Sequence, residues 1–247
     1  MSKSLENRIV LVTGASRGIG YALAIKLGQA GAHVVAVART VGGLEELDDA
    51  IKAVGGTATL VPLDMRDYPG IYRLAAALNE RHQRLDVLIG NAAIAGQRSP
   101  LGHVDPKAWD DAMAINLTAN WHLIRAMDPL LRRSDAGRAV FMTSGAATNA
   151  RAYSGPYSVS KAAVNVLARI YAAETDTTTK IRVNLFNPGP TRTRMRAQVM
   201  PGEDPMTLPT AEEVVEKIVP LCLPSFSETG KLYDYRAGKL LEFKQSA

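Results

Sequence analysis

The chain has 247 residues, 47% of them hydrophobic and 21% charged, with a formal net charge of +5. It is long enough to bury a core without disulfides or metals; its single cysteine, Cys222, excludes an intramolecular disulfide and a cysteine-based zinc site, and its four histidines show no short-range ligand spacing. Lys and Arg are spread along the chain without a basic run, and no window approaches the ~18 consecutive apolar residues of a membrane span, so neither nucleic acid nor membrane is an expected partner.

Residues 1–8 contain no apolar segment that reads as a secretory signal, which leaves the cytoplasm as the default compartment. Arg8 to Thr13 is the apolar, β-branched run that a buried parallel strand requires. It runs directly into Gly14-Ala15-Ser16-Arg17-Gly18-Ile19-Gly20 and then into a helical pattern ending at Gly31. A second strand spans His33 to Ala38, completing a βαβ unit with its glycines in the first turn. The alternation continues with a helix over Leu44 to Val54, a strand over Thr57 to Leu63, a helix over Ile71 to His82 and a strand over Asp86 to Gly90. Pro106 to about Arg133 gives one or two helices, Arg138 to Thr143 a fifth strand, Pro156 to about Thr175 a helix and Lys180 to Phe186 a sixth strand. Asn187 to Pro209 shows no clear element and reads as a substrate lid, because it follows a strand's carboxyl end. Thr210 to Leu223 reads as an amphipathic helix with a Thr210/Glu213 capping box, and Lys231 to Tyr235 as a last strand. The pattern predicts a single α/β domain over residues 1–247, a Rossmann-type doubly wound parallel sheet of about seven strands with helices on both faces.

Two stretches carry chemistry. Glycines between a strand and a helix let the backbone approach a pyrophosphate, and the helix N-terminus offers it free N–H groups. The second strand ends in Val37-Ala38-Arg39-Thr40, with no acid between His33 and Gly43 to accept hydrogen bonds from a ribose 2′-hydroxyl. Arg39, with Arg17, instead suits a 2′-phosphate, which predicts NADP(H) over NAD(H). Farther on, Tyr157 and Lys161 stand four residues apart at the head of a helix, on one face. A phenol ordinarily ionises near ~10, and an adjacent ammonium would bring it toward physiological pH.

With Thr13-Gly14-Ala15-Ser16-Arg17-Gly18-Ile19-Gly20 at the front, Ser144 thirteen residues before Tyr157, Asn116 in the mid-chain helix and Asn187-Pro188-Gly189 after the sixth strand, the chain resembles the short-chain dehydrogenase/reductase family. The resemblance implies a carbonyl–alcohol oxidoreductase with a Ser-Tyr-Lys-Asn tetrad of Ser144, Tyr157, Lys161 and Asn116. Tyr157 would be the acid or base, Lys161 would lower its pKa and hold the nicotinamide ribose, Ser144 would bond the substrate oxygen and Asn116 would hold a water. It implies cofactor contacts from Gly14, Ser16, Arg17, Gly18, Ile19, Gly20, Arg39, Thr40, Asp64, Met65, Asn91, Ala92, Tyr157, Lys161, Pro188, Gly189, Thr191 and Thr193, with Asp64 at the adenine, and no metal. Gly90-Asn91-Ala92-Ala93 departs from the family's N-N-A-G, and Thr191 replaces an aliphatic residue. A small-molecule carbonyl or alcohol is the implied substrate, with pocket candidates in Ala93 to Gln97, Gly145 to Tyr153 and the lid, where Arg192, Arg194 and Arg196 are candidates to meet an anion. A homo-oligomer, tetramer or dimer, is implied through the helices around Trp109 to Leu131 and Tyr157. A non-catalytic dinucleotide sensor or scaffold and an NAD-dependent alcohol dehydrogenase are the alternatives.

Overall fold

The computed structural model describes residues 3–243. Eight strands form one sheet in the order β3-β2-β1-β4-β5-β6-β7-β8. They are β1 (Ile9–Thr13), β2 (His33–Ala38), β3 (Thr57–Pro62), β4 (Val87–Gly90), β5 (Arg138–Met142), β6 (Arg182–Asn187), β7 (Leu232–Asp234) and β8 (Lys239–Leu241). All neighbours are parallel except β7 and β8, an antiparallel edge pair. The Rossmann-type doubly wound class expected from the alternation is the one observed. The eighth strand was not predicted: three residues beyond a turn are too few to show a periodic pattern.

The strand order reverses between β1 and β4, so the crevice at their carboxyl ends is where such a sheet takes ligands. One face of the sheet carries α1 (Gly18–Gln29) and α2 (Val41–Ala53), and the other carries α3 (Tyr68–His82). The helical stretch after β4 is continuous: α4 (Pro106–Met113), a π-helical turn over Ala114–Thr118, and α5 (Ala119–Leu131). α6 (Ala146–Asn149) and the long α7 (Gly155–Thr175) follow β5, and α5 and α7 lie on the α3 face. Alternate residues of β5 enter the two layers, Val140 and Met142 on one side, Ala139 and Phe141 on the other, which is why a continuous apolar run was needed.

Two predicted segments differ in detail. The single helix over Thr210 to Leu223 is broken into α9 (Ala211–Val215) and α10 (Val219–Cys222), with α8 (Arg194–Val199) preceding them in the lid. Pro220 has no N–H to continue a helix from α9, so the chain tightens through i→i−3 bonds at Lys217 and Ile218 and restarts. The predicted capping box is present, with Thr210 Oγ1 accepting from Glu213 N at 3.2 Å and Thr210 N donating to Glu213 Oε2 at 2.7 Å. The lid is more ordered than its composition suggests, because Thr193 caps α8 and Asp204 caps a 3₁₀ turn over Pro205–Thr207.

Among the described residues no helix is long and apolar enough to cross a membrane. Trp121 on α5 and Val159, Val166 and Ile170 on α7 are exposed, whereas Leu123, Val164 and Tyr171 on the same helices are buried.

Candidate active site

The glycine turn is held by short side chains and backbone. Gly14 and Gly18 have φ of 67° and 58°, the left-handed region that glycine tolerates. A Cβ on Gly14 would come within 2.9 Å of the Ala92 Cα, and one on Gly20 would collide with the Gly14 carbonyl. Asn91 Nδ2 donates to Thr13 O at 2.8 Å, while Thr13 Oγ1 accepts from the N–H groups of Asn91 and Ala92 at 3.0 Å each. Gly43 lets the first turn of α2 press against Ser16, where a Cβ would stand 2.9 Å from its Cβ.

α1 begins at Gly18 with Arg17 as its N-cap, and no side chain caps it. Its first N–H groups are therefore free for an anion. Thr193 faces Gly18, with Cγ2 3.4 Å from where a Cβ would sit. Arg17 and Thr40 are exposed, and so is Arg39, whose ion pair with Asp64 is loose at 3.9 Å. A cradle that excludes a methyl, an uncapped helix start and two exposed guanidiniums fit the phosphates of a dinucleotide. Two positions in the expected contact set are buried. Met65 is buried in the core beneath β2, and Thr191 is buried with its hydroxyl turned onto Pro188 O and Gly189 O at 3.4 and 3.3 Å. Only their backbones remain for a ligand.

The departure at Gly90 has a structural reason. A Cβ there would collide with Asn120 Oδ1 and the Phe141 ring, so the asparagine usual at this point has no room. Asn120, one turn after Asn116 on the same face, is buried and donates to Asn116 O at 2.7 Å. Its i,i+4 spacing was the available signal. Nothing in the structure accounts for Ala93.

Ser144 and Lys161 lie close to Tyr157 near the carboxyl end of β5, and Asn116, in the π turn, reaches the same helix through Ser160. Tyr157 lies in the first turn of α7 and is half-buried. That burial pushes its phenol above the usual tyrosine range, while a hydrogen bond with Ser144 pulls the other way. Lys161 is 2% exposed and donates to Met142 O at 2.7 Å. Desolvation lowers its pKa to about 8. Its Nζ sits 5.9 Å from the centre of the Tyr157 ring. Burial is the largest influence on both groups.

Asn116 occupies the π turn, a distortion that often marks function. Its Oδ1 accepts from Ile94 N at 2.8 Å, and its Nδ2 donates to Ile94 O at 2.9 Å and Ser160 Oγ at 3.0 Å. Ser160 Oγ in turn donates to Tyr157 O at 2.8 Å. Both amide hydrogens are spent, so Asn116 has only acceptor sites left for a water. It braces the loop after β4 to the helix turn carrying Tyr157. Asn187 does the same from β6, accepting at Oδ1 from Gly145 N and Gly189 N at 3.1 Å each and donating to Asp234 Oδ2 at 2.8 Å. The hydroxyl of Thr143, directly before Ser144, is buried without a partner.

The lid arginines are mostly occupied. Arg192 donates to Pro205 O at 2.8 Å and Leu208 O at 3.2 Å, and Arg196 forks onto Glu203, with Nη2 to Oε1 at 2.6 Å. Arg194 alone of the three is exposed. Arg98, in the loop after β4, donates to Val199 O and ties the lid across the site. Tyr153, at φ 68°, and Ala150, at φ 41°, hold the loop between Ser144 and Tyr157 in a conformation that costs non-glycine residues energy. The three most exposed large apolar side chains, Met206 (72%), Leu101 (67%) and Tyr153 (57%), come one each from the lid, the loop after β4 and this loop. A concavity of about 480 Å³, lined by Arg132 to Asp135 and Thr178 to Lys180, lies before β5 and β6, at the opposite end of the sheet from Tyr157.

Residues 8–204 match the family model described as short chain dehydrogenase. The uncharacterised oxidoreductase YciK of Escherichia coli is 35% identical over 243 residues, covering 95% of this chain and 94% of its own. The rhamnolipids biosynthesis 3-oxoacyl-[acyl-carrier-protein] reductase of Pseudomonas aeruginosa is 35% identical, covering 83% of this chain and 80% of its own. A short chain dehydrogenase of Shigella flexneri, solved in complex with NADP, superposes with a TM-score of 0.91 at 34% identity, covering 96% of this chain and 100% of its own.

Proposed function

This chain belongs to the short chain dehydrogenase family of oxidoreductases, and from that premise we propose that it is an NADP(H)-dependent enzyme that interconverts a carbonyl and an alcohol on a small or medium organic substrate. The observation that carries the reading is the meeting of Tyr157, Ser144 and buried Lys161 at the sheet edge that also bears the glycine cradle. The NADP held by the Shigella flexneri relative, the exposed Arg17 and Arg39, and the absence of an acid at the end of β2 support NADP(H).

When bound, the nicotinamide supplies or takes the hydride at the carbonyl carbon. The chain's own part is the proton and the charge on oxygen. Tyr157, neutral at physiological pH because burial raises it, is in the right state to give a proton to the oxygen of a ketone or aldehyde. Ser144 Oγ donates a hydrogen bond to the same oxygen as charge develops there. Lys161, whose pKa of about 8 lies near the working range, exchanges protons behind Tyr157, and Asn116 fixes the turn through Ser160. The exposed apolar side chains of Leu101, Tyr153 and Met206, each on a loop that follows a strand's carboxyl end, favour a carbonyl compound with an apolar body, and the Pseudomonas aeruginosa relative makes 3-oxoacyl thioesters the first class to try. The outward Trp121, Val159, Val166 and Ile170 support a homo-oligomer joined through α5 and α7. The whole chain works as one unit in this reading.

The test is a screen of NADPH oxidation across ketones, aldehydes, quinones and 3-oxoacyl thioesters. Turnover with apolar-bodied carbonyls is expected. Tight NADPH binding with no oxidation by any class would point to a sensor instead.

A further inference from the structure

Resting on the NADP(H) reading, we propose that Arg66 is a specificity-determining residue: it holds the Asp64 carboxylate so that Arg39 stays available to a 2′-phosphate. Five charged groups form a chain across this corner of the site, from Arg39 through Asp64, Arg66 and Asp111 to Lys107. Arg66 grips Asp64 as a fork, with Nε donating to Oδ1 at 3.2 Å and Nη2 to Oδ2 at 2.8 Å, and its backbone N–H adds a third bond to Oδ1 at 2.9 Å. Its remaining nitrogen, Nη1, donates to Asp111 Oδ1 on α4 at 3.0 Å, and Lys107 Nζ donates to Asp111 Oδ2 at 2.7 Å. Arg39 stands outside this ladder. Its Nη1 is 3.9 Å from Asp64 Oδ2, beyond hydrogen-bond length, and its side chain is 51% exposed.

The electrostatic problem here is particular. Arg39 is the cation placed to meet a 2′-phosphate, yet an anion, Asp64, stands 3.9 Å from it. Hydrogen bonds from Arg66 hold the Asp64 carboxyl below the usual carboxylate range, so Asp64 is ionised at physiological pH. An unpartnered carboxylate beside Arg39 would draw that guanidinium onto itself and repel an incoming phosphate. Arg66 removes both effects by occupying three of the acceptor sites of Asp64 and offsetting its charge. Asp111 and Lys107 hold Arg66 in turn, which fixes the fork from a second element. The five groups carry three positive and two negative charges, and Arg39 is the cation at the open end of the chain. A ligand without a 2′-phosphate presents no dianion to this corner, so the effect of Arg66 is selective.

The experiment is equilibrium binding of NADPH and NADH, followed by the fluorescence of the reduced cofactor with no substrate present, on wild type, Arg66→Gln and the double variant Arg66→Gln/Asp64→Asn, with thermal melting of each. Arg66→Gln is expected to raise the Kd for NADPH by about tenfold and that for NADH by less than about twofold, and adding Asp64→Asn is expected to restore the preference for NADPH over NADH, a ratio in which any adenine contact of Asp64 cancels because both cofactors share it. The loss is expected to shrink as salt is raised. A selective wild type whose Arg66→Gln variant loses both cofactors equally, or neither, would overturn the role of Arg66 alone, as would failure of Asp64→Asn to restore that ratio. A wild type that binds the two cofactors equally would overturn the NADP(H) reading and this inference with it.

Discussion

The two halves of the candidate site are held by different kinds of contact. On the cofactor side the glycine turn is fixed by backbone and short side chains: Ala15 N donates to Val37 O at 3.1 Å, Asn91 bonds Thr13, and neither Gly14 nor Gly20 has room for a methyl. On the substrate side the lid is tied by long, partly exposed arginines, Arg98, Arg192 and Arg196. The first kind of contact fixes a position to within tenths of an ångström. The second can open and close again at little cost, because exposed hydrogen bonds to carbonyls and exposed charged pairs each contribute about 1 kcal/mol. A rigid cradle beside a strapped lid suits a protein that takes the same cofactor every time but must admit and release a substrate.

Substitutions can break this contrast at graded depths. The deepest is at the seam, where Tyr157→Phe should lower kcat by about 10³-fold or more while NADPH still binds, as kinetics and titration together would show. Next comes the cradle. Gly14→Ala forces a side chain into φ 67° against Ala92 and should weaken NADPH binding by about a hundredfold, with a lower melting temperature. If binding survived that change, the cradle would not be rigid.

A third prediction concerns pH. The pKa of Lys161 in the folded protein, about 8, lies below its unfolded value near 10.5, so the unfolded state holds more protons between them. Stability from this group is therefore present above about 10.5 and lost as pH falls through about 8. Relative to Lys161→Met, the wild type should gain up to about 1.4 kcal/mol per pH unit from 8 to 10 in denaturant titrations of the cofactor-free protein. Comparison with the variant is needed because the raised Tyr157 works in the opposite sense above pH 10. A flat difference would mean that Lys161 is not desolvated.

Smaller effects belong to the periphery. Arg39→Ala should raise the Kd for NADPH about tenfold and leave that for NADH nearly unchanged. Arg196→Ala, which cuts the Glu203 strap, should raise the substrate KM by no more than about fivefold and move the melting temperature little, which sharpens the idea of a weakly tied lid.

Much of the cofactor half was legible in the sequence, because glycine spacing, β-branched runs and strand ends act through local rules. The strands up to β7 and the Tyr157–Lys161 face followed from apolar runs and helical periodicity, and the glycine turn from its place between a strand and a helix. What escaped reading depends on contacts far apart in the chain. That Gly90 is required by Asn120 and Phe141, that Gly43 makes room for Ser16, and that Arg66 grips Asp64 against Asp111 are facts of packing. The lid escaped for a different reason: α8 has six residues, too short for a periodic signal, and nothing in the sequence shows that Arg192 and Arg196, two of the candidates to meet an anion, close the loop on itself. Spacing reports proximity and says nothing of burial, so the desolvation that acts on Tyr157 and Lys161 had no signal in the sequence.

The central claim is that this site moves a hydride between NADP(H) and a carbonyl carbon, with Tyr157 supplying the proton. The most direct measurement is a single-turnover reaction of NADPH deuterated at the transferring position of C4 with the best carbonyl compound from the screen, analysed by mass spectrometry and NMR. The account predicts one deuterium on the carbinol carbon of the product in wild type and none within the same time in Tyr157→Phe, although both proteins bind the cofactor. Deuterium transfer by Tyr157→Phe at the wild-type rate, or no transfer from wild type to any carbonyl class while NADPH is bound, would contradict it.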